Sequence, residues 1–200
     1  ISGNAVVNGD IYGVFGGNSS ENTVVVKDNA NVQDVYGGYN YAANTTIDTL
    51  KNNHIYIIGG TANNVIGGLT INGHNVEGNT IYISNAKING NVYGAYHGID
   101  SARNDRSFSD NIITLGIGAE VSESNLFGYY IEGTPSTDFN IKTEGNKLVI
   151  DNWHGTVQGV YNFSDIDLND INWVSGGTVL NIKKNSVNGA LANTNICLLY

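Results

Sequence analysis

The residues of this chain that could do chemistry are few and scattered. Asp165, Asp167 and Asp170 stand close together, Glu120 and Glu123 form a second acidic pair, Arg103 and Arg106 share one polar stretch, and His54, His74, His97 and His154 are dispersed. Alternating aspartates can begin a calcium loop, but "DIDLND" lacks the glycine and the distal glutamate that close an EF-hand. The histidines would need folding to bring them together before they could hold zinc. No nucleophile elbow, phosphate-binding loop or HExxH motif occurs. One cysteine, Cys197, rules out an internal disulfide and a cysteine-based metal site. The expectation is a chain that is not an enzyme, with no metal and no cofactor.

The remaining reactive surface is aromatic. Tyr36 and Tyr39 sit in "DVYGGYN", and related phrases recur as "GVFGGNS" from Gly13, "NVIGGLT" from Asn64, "NVYGAYH" from Asn91, "NLFGYYI" from Asn125 and a weaker "TVQGVYN" from Thr156. They define two columns: Phe15, Tyr36, Ile66, Tyr93 and Phe127, and three residues on Tyr39, Leu69, Tyr96, Tyr130 and Tyr161. Stacked aromatics with polar tips offer large rigid area at low entropy cost, which suits sugars or a protein partner. They equally suit a ladder that only stabilises stacking. Tyr36, Tyr39, Tyr93, Tyr96 and Tyr130 are therefore the candidate binding residues.

A second phrase alternates with the first: "NTVVV" at Asn22, "NHIYI" at Asn53, "NTIYI" at Asn79, "NIITL" at Asn111, "NKLVI" at Asn146 and "TVLNI" at Thr178. The first five asparagines are 31, 26, 32 and 35 residues apart, a ragged period in the range of solenoids. Alternate positions are aliphatic in each copy: Val24 and Val26, Ile55 and Ile57, Ile81 and Ile83, Ile113 and Leu115, Leu148 and Ile150. That is the pattern of a strand burying one face. In the aromatic phrase the inward column reads Val14, Val35, Val65, Val92, Leu126 and Val157, and the glycines behind it permit a positive φ or a close backbone approach.

Two strands and two turns per unit, like residues above like, predict an all-β, right-handed parallel β-helix with coils of roughly 26–35 residues. A propeller would need four strands per blade and a longer period. The Gly 26, about thirty asparagines and single proline of the 200 residues disfavour helices. Asn and Gly tolerate the left-handed corners such coils need. Unequal spacing predicts loops inserted at Tyr41–Lys51, Gly98–Ser109 and Ile131–Thr143. The chain reads as one β-helix fragment over 1–200, with repeat coils over 1–155 and C-terminal coils over 156–200. It begins in repeat material, so it is expected to be a piece of a longer chain.

A net charge of −9 with only nine Lys plus Arg disfavours a phosphate-tracking groove, so no nucleic-acid partner is expected. No apolar run reaches the length of a membrane-spanning helix. Glycan-cleaving β-helices of the polygalacturonase type need an NTD phrase, an Asp pair, a GHG phrase and a basic RIK element. "YHG" at Tyr96 and "WHG" at Trp153 are half-matches without carboxylate partners, and these histidines read as packed or surface residues.

The alternation of "DVYGGY" or "NVYGAY" with "NTIYIS" resembles the repeats of autotransporter passengers, the surface adhesins exported by the type V secretion route of Gram-negative bacteria. The block "GVYNFSDIDLNDINWVSGGTVLNIKKNSVNG" from Gly159 is similar to the segment that follows such arrays, through Asn162, Phe163 and Asp165 and then Gly176, Gly177, Thr178 and Leu180. The resemblance implies a secreted, virulence-associated adhesin segment on the bacterial cell surface, carried by a chain anchored in the outer membrane through a barrel outside this fragment. Its partners would be cell-surface glycans or proteins, with self-association as a further possibility. The alternative functions are a structural stalk and a polysaccharide-cleaving enzyme.

Overall fold

The computed structural model describes residues 1–41, 49–71, 74–98, 106–132 and 141–169, and the backbone of Leu180–Ile182. Every strand pairing in it is parallel, and the described residues contain no helix. The chain is a parallel β-helix. Its long sheet stacks Thr23–Val32, His54–Ala62, Thr80–Ile83, Ile112–Leu115, Lys147–Asp151 and Asp165–Asn169 in that order. Val6–Val7 and Lys87–Ile88 extend its far half. An aromatic sheet stacks Ile11–Tyr12, Val35–Asn40, Val65–Thr70, Val92–His97, Asn125–Ile131 and Gly159–Tyr161.

The predicted alternation holds on the long sheet. Ile55, Ile57, Ile83, Ile113, Leu115, Leu148 and Ile150 are fully buried, while Val25, Tyr56, Tyr82, Thr114 and Val149 share the outward column. Each coil thus removes a pair of aliphatic side chains from water, at roughly 1.5–3 kcal/mol per side chain.

Three expectations need correction. The coil has more than two strands, because a short third sheet of Ser19–Ser20, Thr49–Lys51 and Asn75–Glu77, continued by the paired Arg106–Ser107 and Ile141–Lys142, closes it on another side. The three insertions therefore supply a strand at their C-terminal ends. The sixth strand of the long sheet is Asp165–Asn169, with Ile166 and Leu168 against Leu148 and Ile150, whereas Leu180–Ile182 of the "TVLNI" phrase pairs with Gly155–Val157. The first and last aromatic phrases are also shifted by three residues: Ile11 and not Val14 aligns with Val35, and Val160 and not Val157 with Leu126.

Asparagine is the strand-entry residue for a specific reason. Asn22, Asn53, Asn79, Asn111 and Asn146 form a ladder in which each Nδ2 donates to the next Oδ1 at 2.9, 2.9, 3.0 and 3.0 Å. The same oxygens accept the backbone N–H groups of Asn22, Asn53, Asn79 and Asn111. The second hydrogen of Asn79, Asn111 and Asn146 goes to the carbonyls of Leu50, Val76 and Phe108. The last four asparagines are completely buried, and such groups are tolerated only when paired. The left-handed corner residue is the one before each asparagine: Glu21, Asn52, Gly78, Asp110 and Gly145 all have φ between 52° and 74°.

Candidate functional site

The aromatic sheet is the surface to which the candidate residues belong, and its glycines explain how it is built. In a regular strand, residues three apart point to opposite faces. Yet Tyr36 and Tyr39 are ring neighbours at 5.6 Å, as are Tyr93 and Tyr96 at 5.1 Å. The intervening Gly37 and Gly38 both turn their missing side chains toward the interior, where Cβ atoms would approach Asn53. The alternation therefore slips by one, and two aromatic columns emerge on the same outer face. The first glycine is also a close-approach site. A Cβ on Gly13, Gly37, Gly67 or Gly94 would run into the carbonyl oxygen of the next coil's glycine. None of these four has a positive φ, so space and not a corner requires glycine there.

The first column stacks Tyr12 on Tyr36 at 4.9 Å and 10°, then, beyond Ile66, Tyr93 on Phe127 at 4.9 Å and 8° and Phe127 on Tyr161 at 4.8 Å and 16°. The second stacks Phe15 on Tyr39 at 5.2 Å and 8° and, beyond Leu69, Tyr96 beside Tyr130 at 5.2 Å. Tyr12 and Tyr161 are first-column members that the shifted phrases concealed, and Phe15 belongs to the second column, level with Tyr39. The columns meet edge to face, so most rings cover one another. Tyr36 is only 9% exposed. The five candidate tyrosines fall into two groups, Tyr36 and Tyr39 in one and Tyr93, Tyr96 and Tyr130 in the other, with Ile66 and Leu69 between them.

What the columns offer to water is ring edges and hydroxyls. Tyr36 donates to Asp34 at 3.4 Å, Tyr12 to Asp10 at 3.1 Å and Tyr96 to Glu132 at 3.2 Å, while Asn91 donates to the Tyr93 hydroxyl at 3.1 Å. Burial, reinforced by Asp34, holds the Tyr36 hydroxyl well above the usual tyrosine range, and burial with Glu132 does the same for Tyr96. These hydroxyls stay protonated as donors. Asp34 is itself held by the backbone N–H and side chain of Asn64 and the side chain of Asn63. It belongs to a second polar ladder that starts at Asp10, which accepts the Asp34 backbone N–H, and continues from Asn64 to Asn91 and Asn125.

The other chemistry-bearing residues are dispersed. Asp165 and Asp167 lie on the outward side of the long sheet's last strand, where Asp167 pairs with Lys147 at 2.8 Å. Asp170 and Arg103 fall outside the described residues. Among the described residues no group of three His, Cys, Asp or Glu is placed to hold a metal ion. His97 is buried and His154 exposed.

Comparisons of the chain with protein-family models, with curated proteins and with solved structures return no significant match.

Proposed function

We propose that this chain is a non-catalytic segment of a bacterial surface adhesin, a β-helical rod that carries recognition along one edge. The observation that carries the reading is the placement of the aromatic columns. Tyr39, Tyr96 and Tyr130 stand within two residues of the points where the sequence leaves the aromatic sheet for its three long excursions, after Asn40, His97 and Ile131. The Tyr96 hydroxyl, the Glu132 carboxylate that accepts from it and the excursion bases therefore share one edge of the aromatic sheet, while Asp10 and Asp34 precede the strands at the other edge. Function commonly sits on loops held by a rigid scaffold. The repeat phrases support the export route and the bacterial cell surface as its setting, and a cell-surface glycan or protein as its partner.

A structural stalk is the second reading, and the stacked ring faces favour it. A ring whose faces are covered by neighbours cannot lie flat on a sugar. The discriminating experiment is binding of the whole chain to an array of glycans and matrix proteins, beside a variant with Tyr36→Ile, Tyr39→Leu, Tyr93→Ile and Tyr96→Leu. The coil with Ile66 and Leu69 shows that aliphatic residues fit these columns. Selective binding that the folded variant loses is the expected result. Absence of binding by the parent chain would overturn the adhesive reading and leave the stalk.

A further inference from the structure

The last inward position of the aromatic sheet is polar in three successive coils and apolar, Ile131, in the next. Asn40, Thr70 and His97 occupy one column there, aligned coil on coil, and all three are buried. His97 ends the Val92–His97 strand, and Arg106 begins the next described strand of the same coil. The Arg106 Nη1 donates to His97 Nε2 at 2.6 Å. Guanidinium has no acceptor, so Nε2 must carry the lone pair, and the ring's one hydrogen sits on Nδ1. It is donated to the carbonyl of Thr70 in the preceding coil at 3.2 Å. The ring also lies against Phe108, 5.7 Å between centroids. His97 thus ties three places together in one tautomer: the neighbouring coil, its own strand, and the strand that follows the excursion.

We propose that His97 is an acid-sensitive latch. In its neutral form the ring accepts from Arg106; on protonation Nε2 loses its lone pair, that hydrogen bond breaks, and two cations are left facing each other. The following segment, Arg106–Ser109, then loosens from the corner. The titratable and charged groups around the ring, among the described residues, are Arg106, the buried His74 before Asn75–Glu77, and Glu132. Glu132 meets His97 through its backbone N–H, while its carboxylate accepts from the Tyr96 hydroxyl. Thr70, Asn40 and Phe108 are uncharged. Burial, and after it Arg106, pushes the His97 imidazole below its ordinary value of 6.5.

The sign follows from which state takes the proton. An unfolded or locally opened His97 binds a proton as pH falls through about 6.5, whereas the closed form resists until lower pH. The closed form is therefore favoured above that value and loses its advantage as pH falls below it. This window spans the acidification to which histidine switches respond.

The test is amide hydrogen exchange of the whole chain, read as protection factors at Ser107, Phe108 and Ser109 at about pH 7.5 and about pH 5. Beside it run His97→Gln, which keeps an acceptor and a donor but does not titrate, and His74→Gln. The latch predicts that protection at these amides falls by about tenfold or more in the parent chain and in His74→Gln, and stays level in His97→Gln. Equal protection at the two pH values in the parent chain, or the same loss in His97→Gln, would overturn it. Nitrogen chemical shifts of the His97 ring in the parent chain provide a readout that needs no variant. A ring that takes up its proton with no change in protection at Phe108 would also overturn the latch.

Discussion

Asn79 shows how much one side chain can hold in this architecture. Its Oδ1 accepts from the backbone and the side chain of Asn53, and its Nδ2 donates to Leu50 and to Asn111, all without solvent. Alanine there would strand several buried polar groups at once, at roughly 1–3 kcal/mol for each that finds no water. Asn79→Ala is therefore expected to cost about 3 kcal/mol or more, read from the midpoint and slope of chemical unfolding. An exposed asparagine such as Asn29, whose side chain bonds Asn4 at the surface, should give a change below about 0.5 kcal/mol. Similar losses at the two sites would mean that the ladder is decoration. The sequence displayed these asparagines at their regular place before each aliphatic pair. It did not display their burial, because Asn is also a turn residue and the turn reading accounts for the same letters.

At the scale of the element, the aromatic columns behave as packing with polar tips. Tyr93 lies between Ile66 and Phe127 in register and meets Tyr96 edge to face. Tyr93→Ala removes stacking on Phe127 and uncovers Ile66, for an expected loss of about 2 kcal/mol. Tyr93→Ile repeats the choice the chain already makes at Ile66 and should cost less than about 1 kcal/mol. Thermal or chemical unfolding of the pair checks this, and equal losses would show that the column needs aromatic rings. The strands themselves were legible because burial on one face writes period two into Val24, Val26, Ile55 and Ile57. The register of the terminal aromatic phrases was not. "IYGVFGG" offers Gly13 and the Gly16–Gly17 pair as equally good anchors, and in the last coil Asn162, at φ 60°, stands level with the glycine column. The third sheet was illegible for another reason. Its strands are two or three residues long, too short to show any period. The sequence shows His97 only as a packed or surface histidine of "YHG", because its partner Arg106 stands nine residues on and is invisible as a pair without the fold.

At the scale of the molecule, a solenoid is a one-dimensional object whose coils meet only their neighbours. The parallel pairings join each coil to the one before and the one after, and both polar ladders run through the same sequence of coils. The main core is likewise one cluster from Val24 to Phe163, with a smaller one of Leu50, Val76, Ala95 and Phe108 beside it. Among the described residues the coils are joined through these stacked contacts, so a lesion in a middle coil should divide the cooperative unit. In the parent chain the amides of Val24–Val26 and of Leu148–Ile150 are expected to open with similar free energies, as parts of one stack. In Asn79→Ala, which damages the coil between them, the two groups should separate by about tenfold or more in exchange rate, one end opening while the other stays closed. The direction is informative as well. The N-terminal side keeps its aromatic cluster of Tyr12, Phe15, Tyr36 and Tyr39, and the C-terminal side keeps the Asn111–Asn146 pair. Each side also keeps the other kind of contact, the Asn22–Asn53 pair and the Tyr93–Phe127–Tyr161 stack, so the group that exchanges more slowly marks the more stable end of the rod. If both groups speed up equally, the rod unfolds as a single body, and the nearest-neighbour description fails for this protein.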